Sequence, residues 1–128
     1  MVNKVKNSNH MQVVDWTNGT GAAVSQGDIV AVGATSDAIL AVALVDIAIG
    51  GTGSVGYNCE VDAAKVSAAV FAQGESLTWD SSASAFDDNA AVAAAGDVKG
   101  VAARAEVAGA NGETTCRVWL TGIPAALS

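Results

Sequence analysis

The sequence predicts an all-β chain: a compact small β-barrel or sandwich of short antiparallel strands, with one or two short helical turns and an extended N-terminal arm. Three observations carry this: two segments whose apolar residues recur with period two, a pair of Asn-Gly dipeptides between strand-like runs, and a weak internal repeat.

The alternation is clearest towards the C-terminus. Val101, Ala103, Ala105 and Val107 alternate with Ala102, Arg104 and Glu106, and Cys116, Val118 and Leu120 alternate with Thr115, Arg117 and Trp119. Successive side chains of a strand point to opposite faces, so each segment predicts one buried face. The connector GANG, residues 109–112, contains an Asn-Gly whose tolerance of positive φ suits a tight hairpin. A second one, Asn18-Gly19, stands between MQVVDW and AAVSQGDIVAV and predicts an earlier hairpin.

The repeat pairs QGDIVAV, residues 26–32, with QGESLTW, residues 73–79; a polar turn and an Ala/Val-rich strand follow each, at 39–45 and 101–107. The glycine opens a turn, the acid sits at the strand entry, and Val30, Val32, Leu77 and Trp79 point inward. In QGESLTWDSSASAF, residues 73–86, Trp79 therefore ends a buried strand and Asp80 begins a turn, its carboxylate accepting backbone N–H groups. The helical turns are placed in DAAKVSAAVFAQG, residues 62–74, with Ser67 as N-cap and Gly74 past the end, and in NAAVAAAG, residues 89–96. Residues 1–11 are polar and lack alternation, which predicts an arm; residues 12–123 form the β-rich domain and 124–128 a C-terminal tail.

Composition narrows the function. The chain is 51% apolar, but alanine and glycine supply much of its small-residue bulk and only three Trp, two Phe and one Tyr are present. So modest a core commonly gains stability from an oligomer or a larger partner. Thirteen acidic against six basic residues give a formal charge of −7, which repels a phosphate backbone and predicts no nucleic-acid partner. The start MVNKVKNSNHMQVV has no apolar core for a secretory signal, and the longest apolar run, residues 38–45, is too short to cross a bilayer. These features predict synthesis in the host cytoplasm and no membrane partner. Cys59 and Cys116 fit no zinc or redox spacing and read as reduced, small hydrophobic residues.

Sites of chemistry are thin. GTGSVG, residues 51–56, is a literal dinucleotide fingerprint, but Val55, Tyr57, Cys59 and Val61 continue with period two, so no phosphate-binding helix follows and a turn between strands is expected. His10 is the single histidine and lies in the arm. Adjacent Asp87 and Asp88 point different ways from a loop, Ser81, Ser82 and Ser84 belong to a turn, and Asp28, Asp37, Asp46 and Asp80 are scattered. No catalytic residue, cofactor or metal site is predicted.

Two features ask for a partner. Residues 39–45 are apolar on both faces, and Trp119 lies on the polar face of its strand. Burial inside a closed barrel or under a covering loop accounts for both, and so does a subunit interface formed by Ile39, Ala41, Ala43, Val45 and Trp119.

Taken in order, GDIVAVG, AVALVDIAIGGTGSV, AAVFAQGESLTWD and KGVAARAEVAGANGETTCRVWL resemble the motifs of phage capsid cement, or decoration, proteins from about Gln12 to Leu120, with Thr78 where the family's Y-W-D has tyrosine. The segment GYNCEVDAAK departs from the family pattern. The resemblance implies a non-enzymatic protein of the virion that assembles, typically as a homotrimer, on the outer surface of an expanded head and ties together subunits of the major capsid protein. On this reading the N-terminal segment, with Lys4, Lys6, Met11, Val13 and Val14, is the capsid-binding arm. The competing expectation, raised by Trp119 and the acidic turns, is a β-sandwich ligand- or carbohydrate-binding module of a tail or surface protein.

Overall fold

A computed structural model of the chain describes residues 4–7, 10–33 and 35–128, the first of these by backbone alone. Among the described residues, eleven strands form one curled sheet: β1 (Lys4–Asn7), β2 (Gln12–Thr17), β3 (Ile29–Gly33), β4 (Asp37–Ala43), β5 (Thr52–Tyr57), β6 (Cys59–Ala64), β7 (Ser76–Asp80), β8 (Ala85–Asp87), β9 (Val98–Ala105), β10 (Thr115–Leu120) and β11 (Ala125–Leu127). The hydrogen-bonded path runs β1-β6-β10-β9-β11-β4-β5-β2, with β3 on β4 and the β7–β8 pair on β9.

The weak repeat in the sequence is a duplication of the fold. β2 pairs with β5 as β6 pairs with β10, and β3 pairs with β4 as β7 pairs with β9. Even the irregular bonds recur. Gly27 N–H donates to Ala43 O and Ala43 N–H to Asp28 O; Gly74 N–H donates to Ala105 O and Ala105 N–H to Glu75 O. Isolated bridges join Val24 to Ile47 in the first half and Phe71 to Gly109 in the second. β11 lies between the halves, pairing with both β4 and β9.

Four turns share one chemistry. In residues 25–28, 72–75, 94–97 and 110–113 a glycine sits at positive φ (Gly27 92°, Gly74 86°, Gly96 89°, Gly112 93°) and an acid follows it. Each acid's carboxylate accepts the N–H of the residue three before it, from Ser25 to Asp28, Ala72 to Glu75, Ala94 to Asp97 and Ala110 to Glu113. The left-handed glycine makes a type II turn possible and the acid closes it. Four of the acids that make the chain anionic are therefore turn caps.

The buried residues fall into two clusters. The larger contains Leu40, Val42, Val61, Leu77, Trp79, Phe86, Val98, Val118 and Leu120; the smaller contains Val24, Val30, Ala41, Ala43, Ile47 and Val55. Strand β4 serves both, which is why its sequence is apolar on both faces. Two polar anchors stitch the loops to these cores. Asn18 donates through Nδ2 to Ala22 O and Ile47 O, and its Oδ1 accepts from Thr20 N–H and Oγ1. Buried Lys65 donates to Val66 O, Ser67 O and Glu113 O at 2.9, 3.0 and 3.2 Å, with Nζ 5.9 Å from the Phe71 ring centroid.

Several expectations need correction. There is no helix among the described residues. Residues 62–64 continue β6, where Val61 and Ala63 are fully buried against β10, and sheet burial outweighs the helix propensity of alanine. The rest of 65–74 and residues 89–96 are turns, closed by Ala69 N–H to Val66 O, Ala91 N–H to Asp88 O and Asp97 N–H to Ala94 O. Gly74 and Gly96, expected to sit past or at helix ends, instead supply positive φ to turns. Asn18-Gly19 makes no hairpin, because β2 pairs with β5 rather than β3. Asn111-Gly112 lies within a nine-residue connection between the paired β9 and β10, not in a two-residue one. Residues 4–7, expected in the arm, form a strand on β6, and residues 125–127, expected in a tail, form β11 at the junction of the halves.

Candidate functional site

The residues expected to bind a partner do not form one patch. Lys4 and Lys6 lie on β1 and Val13 and Val14 on β2, the opposite ends of the hydrogen-bonded path; the side chains of Lys4 and Lys6 lie outside the described residues. Met11 packs against the main core, and its Sδ occupies the space a Cβ on Gly56 would need, at 2.6 Å. Val13 is 52% exposed, whereas Val14 is half-buried against the smaller cluster.

The expected oligomer set also divides. Ala41 and Ala43, read as outward-facing, are buried inside the subunit at 0% and 1% exposure, because β2 and β5 bring a second apolar cluster over that face of β4. Ile39 is half-buried. Val45 and Trp119 remain at the surface, as do Val13, Ile49, Val70, Val92, Val107 and Ile123.

Trp119 borders a shallow cleft of about 300 Å³ lined with His10, Asn58, Cys59, Glu60 and Glu106. Its indole N–H donates to Asn58 Oδ1 at 3.4 Å, and Asn58 Nδ2 donates to His10 O at 3.1 Å. Asn58 is the hinge between β5 and β6, with φ 57°, a conformation asparagine tolerates better than most residues. Burial pushes the Glu106 carboxyl above its ordinary range, Glu60 adds to that, and Arg117 opposes both.

A larger groove of about 720 Å³ runs along the outer edge of β3, between Ile29 and Ala31 on one side and Trp79, Ser81 and Ser84 on the other. In the second half of the fold β8 covers the matching edge of β7, with Trp79 opposite Phe86. No strand covers β3 there among the described residues.

The remaining polar groups are engaged in turns. Asp80 accepts from Ser82 Oγ at 2.8 Å and Ala83 N–H at 3.0 Å, bonds that hold its carboxyl below the ordinary range, the Ser82 bond most strongly. Asp87 accepts Asp88 N–H, and Asp88 accepts Ala90 N–H. Ser81 donates its N–H and hydroxyl to Asp97. The GTGSVG segment is the end of a turn and strand β5; at Gly53 a Cβ would meet Ile47 Cγ1 at 2.6 Å, so the glycine lets the core close over the strand. Cys59 and Cys116 are free, buried thiols, which burial pushes up to about 11 and about 12. Among the described residues no three His, Cys, Asp or Glu side chains are grouped to hold a metal ion.

In the comparison with protein families, residues 8–120 match the family described as phage cement protein. The chain belongs to the phage cement protein family. Cement proteins decorate and stabilise capsids without chemistry, so this one is a non-enzymatic structural protein of the virion that associates with capsid proteins at the capsid surface. Among curated proteins no match is found. One sequence signal was present but unread: the expected repeat began at residues 26 and 73 and did not extend back to Val14-Asp15 and Val61-Asp62, the matching dipeptides of β2 and β6.

Proposed function

We propose that this cement protein acts as a homotrimer on the outside of the expanded head, bridging neighbouring subunits of the major capsid protein. The observation that carries the reading is the set of large apolar side chains left exposed on a subunit whose own core is closed, Val13, Val45 and Trp119 among them. Val45 and Trp119 are assigned to contacts between copies. Lys4, Lys6, Met11, Val13 and Val14 are assigned to the capsid contact, with Met11 acting by fixing the chain ahead of β2. Binding only the expanded shell stabilises it by mass action, and several weak contacts on one oligomer add by avidity. Subunits made in the host cytoplasm would join the head after expansion.

Light scattering on the eluting protein, followed by co-sedimentation with expanded heads that lack it, tests this. A trimer that sediments with expanded but not unexpanded heads is expected, with Val45→Asp and Trp119→Ala weakening the trimer. A monomer that ignores heads, or one that binds glycans instead, would overturn the reading.

A further inference from the structure

The two halves of the fold differ in one respect that bears on binding. The outer edge of β6 carries β1, paired through Lys4 with Asp62, Val5 with Val61 and Asn7 with Glu60. The outer edge of β2, the equivalent strand, carries nothing among the described residues. We propose that this edge of β2 receives an extended, basic segment of the capsid protein, which adds to the sheet as β1 adds to β6. The proposal rests on the cement role and names the contact that performs it.

The backbone of β2 is arranged for such an addition. Asn18 N–H donates to Gly51 O, and Leu44 N–H donates to Ser54 O, so Ser54 directs its carbonyl to β4 and not to β2. Alternation along an antiparallel pair then commits Gln12, Val14 and Trp16 to β5 and turns the N–H and C=O groups of Val13, Asp15 and Thr17 outward. Those outward groups form an unpaired edge.

The side chains also register a missing layer. Val61 and Ala63 of β6 are fully buried, while Val14 and Trp16, which occupy the same positions in β2, are only half-buried against the smaller cluster. An added strand would complete their cover.

Charge identifies the occupant. Asp62 is bridged by Arg117 at 3.4 Å and stands opposite Lys4 in register. Asp15 is its counterpart, but its neighbour across the sheet is Ser54, and it has no ionic or hydrogen-bonding partner among the described residues. A strand with Lys or Arg opposite Asp15 would supply the missing cation. A second copy fits less well. Its Lys4–Asn7 strand is already held on its own β6, and pairing β2 with β2 would bring two unpaired Asp15 carboxylates together on subunits of formal charge −7. The capsid segment fits both the open edge and its charge.

Hydrogen exchange of the intact protein, free and bound to expanded heads, reads the contact without a variant. The amides of Val13, Asp15 and Thr17 should exchange rapidly in the free protein and become protected at least tenfold on heads. Two variants give an independent reading: Asp15→Lys reverses the charge, and Val13→Pro removes an outward N–H while leaving the bonds to β5. Each should weaken head binding by at least tenfold with the free oligomer and its melting unchanged, whereas Ala90→Lys, at an exposed position assigned to no contact, should bind as wild type. Wild-type affinity in both variants, or unprotected β2 amides on heads, overturns the proposal. Loss of the free oligomer in the variants would assign the edge to a second copy and equally overturn it. Failure of the wild type itself to bind heads would instead refute the cement role as read above.

Discussion

Replacing Trp79 with alanine should remove a large share of the subunit's stability. The side chain is 6% exposed in the main core and meets the Phe86 ring at a centroid distance of 4.9 Å and an angle of 59°. Burial of about 200 Å² at about 25 cal/mol per Å² gives about 5 kcal/mol as an upper bound, since the unfolded chain already hides part of that area. Alanine retains a fraction of the burial, and loss of the tilted ring contact restores about 1 kcal/mol to the cost. The expected destabilisation is about 3–5 kcal/mol, against about 5–15 kcal/mol for a typical domain. Urea unfolding followed by circular dichroism at one fixed protein concentration measures it, with the concentration held because any oligomer contributes by mass action. A cost below about 1 kcal/mol with an unchanged m-value would refute the packing argument. Asp80→Asn and Ser81→Ala, which alter only turn bonds, should cost much less.

Further outcomes follow from other sites. Lys65→Met keeps the stem but leaves the carbonyls of Val66, Ser67 and Glu113 without their lysine donor; calorimetry should show a loss at least as large as one charge-assisted bond, about 1.5–3 kcal/mol. Ala41→Asp places a carboxylate at a fully buried position, so it should abolish folding, read as loss of the β signal, rather than selectively dissociate an oligomer. Asp80 has a depressed folded pKa, so its contribution is present above the ordinary Asp range and lost as pH falls through the folded value; Asp80→Asn should flatten the acid limb of a melting-versus-pH curve. Glu106 has a raised folded pKa, which costs stability when it is ionised, so Glu106→Gln should raise the melting temperature slightly at pH 7 and lose that advantage at low pH.

Period two gave the buried face of β10 but not that of 101–107, where the strand ends at Ala105, Ala102 is buried with Ala103 and Val107 is 53% exposed. Cys116, Val118 and Leu120 are buried while Thr115, Arg117 and Trp119 are exposed, as the alternation requires. Trp79 falls inside and Asp80 caps the turn, which explains why QGESLTWDSSASAF breaks from strand into aspartate and serines. The helical reading failed because alanine-rich segments are ambiguous by composition. Residues 62–64 are strand because β10 lies beside them, a fact about residues some fifty positions away. Asn-Gly misled for a related reason: at residue 18 the side chain is buried at 1% exposure as a bridge between loops, not exposed in a two-residue turn. Ala41 and Ala43 could not be told from surface residues without knowing that β2 and β5 cover them. The edge of β2 was legible only in part, since Val13 and Val14 were singled out while Asp15, which matches Asp62 of β6 but has no cation beside it among the described residues, was not.

Thermal disruption of expanded heads that lack this protein, recorded by calorimetry before and after adding it to saturation, tests the central claim most directly. A cement protein binding the intact shell at about one hundred times its Kd adds about 2.7 kcal/mol per site, so the transition should move upward in step with occupancy. Heads that bind the protein fully yet melt at an unchanged temperature would contradict the account.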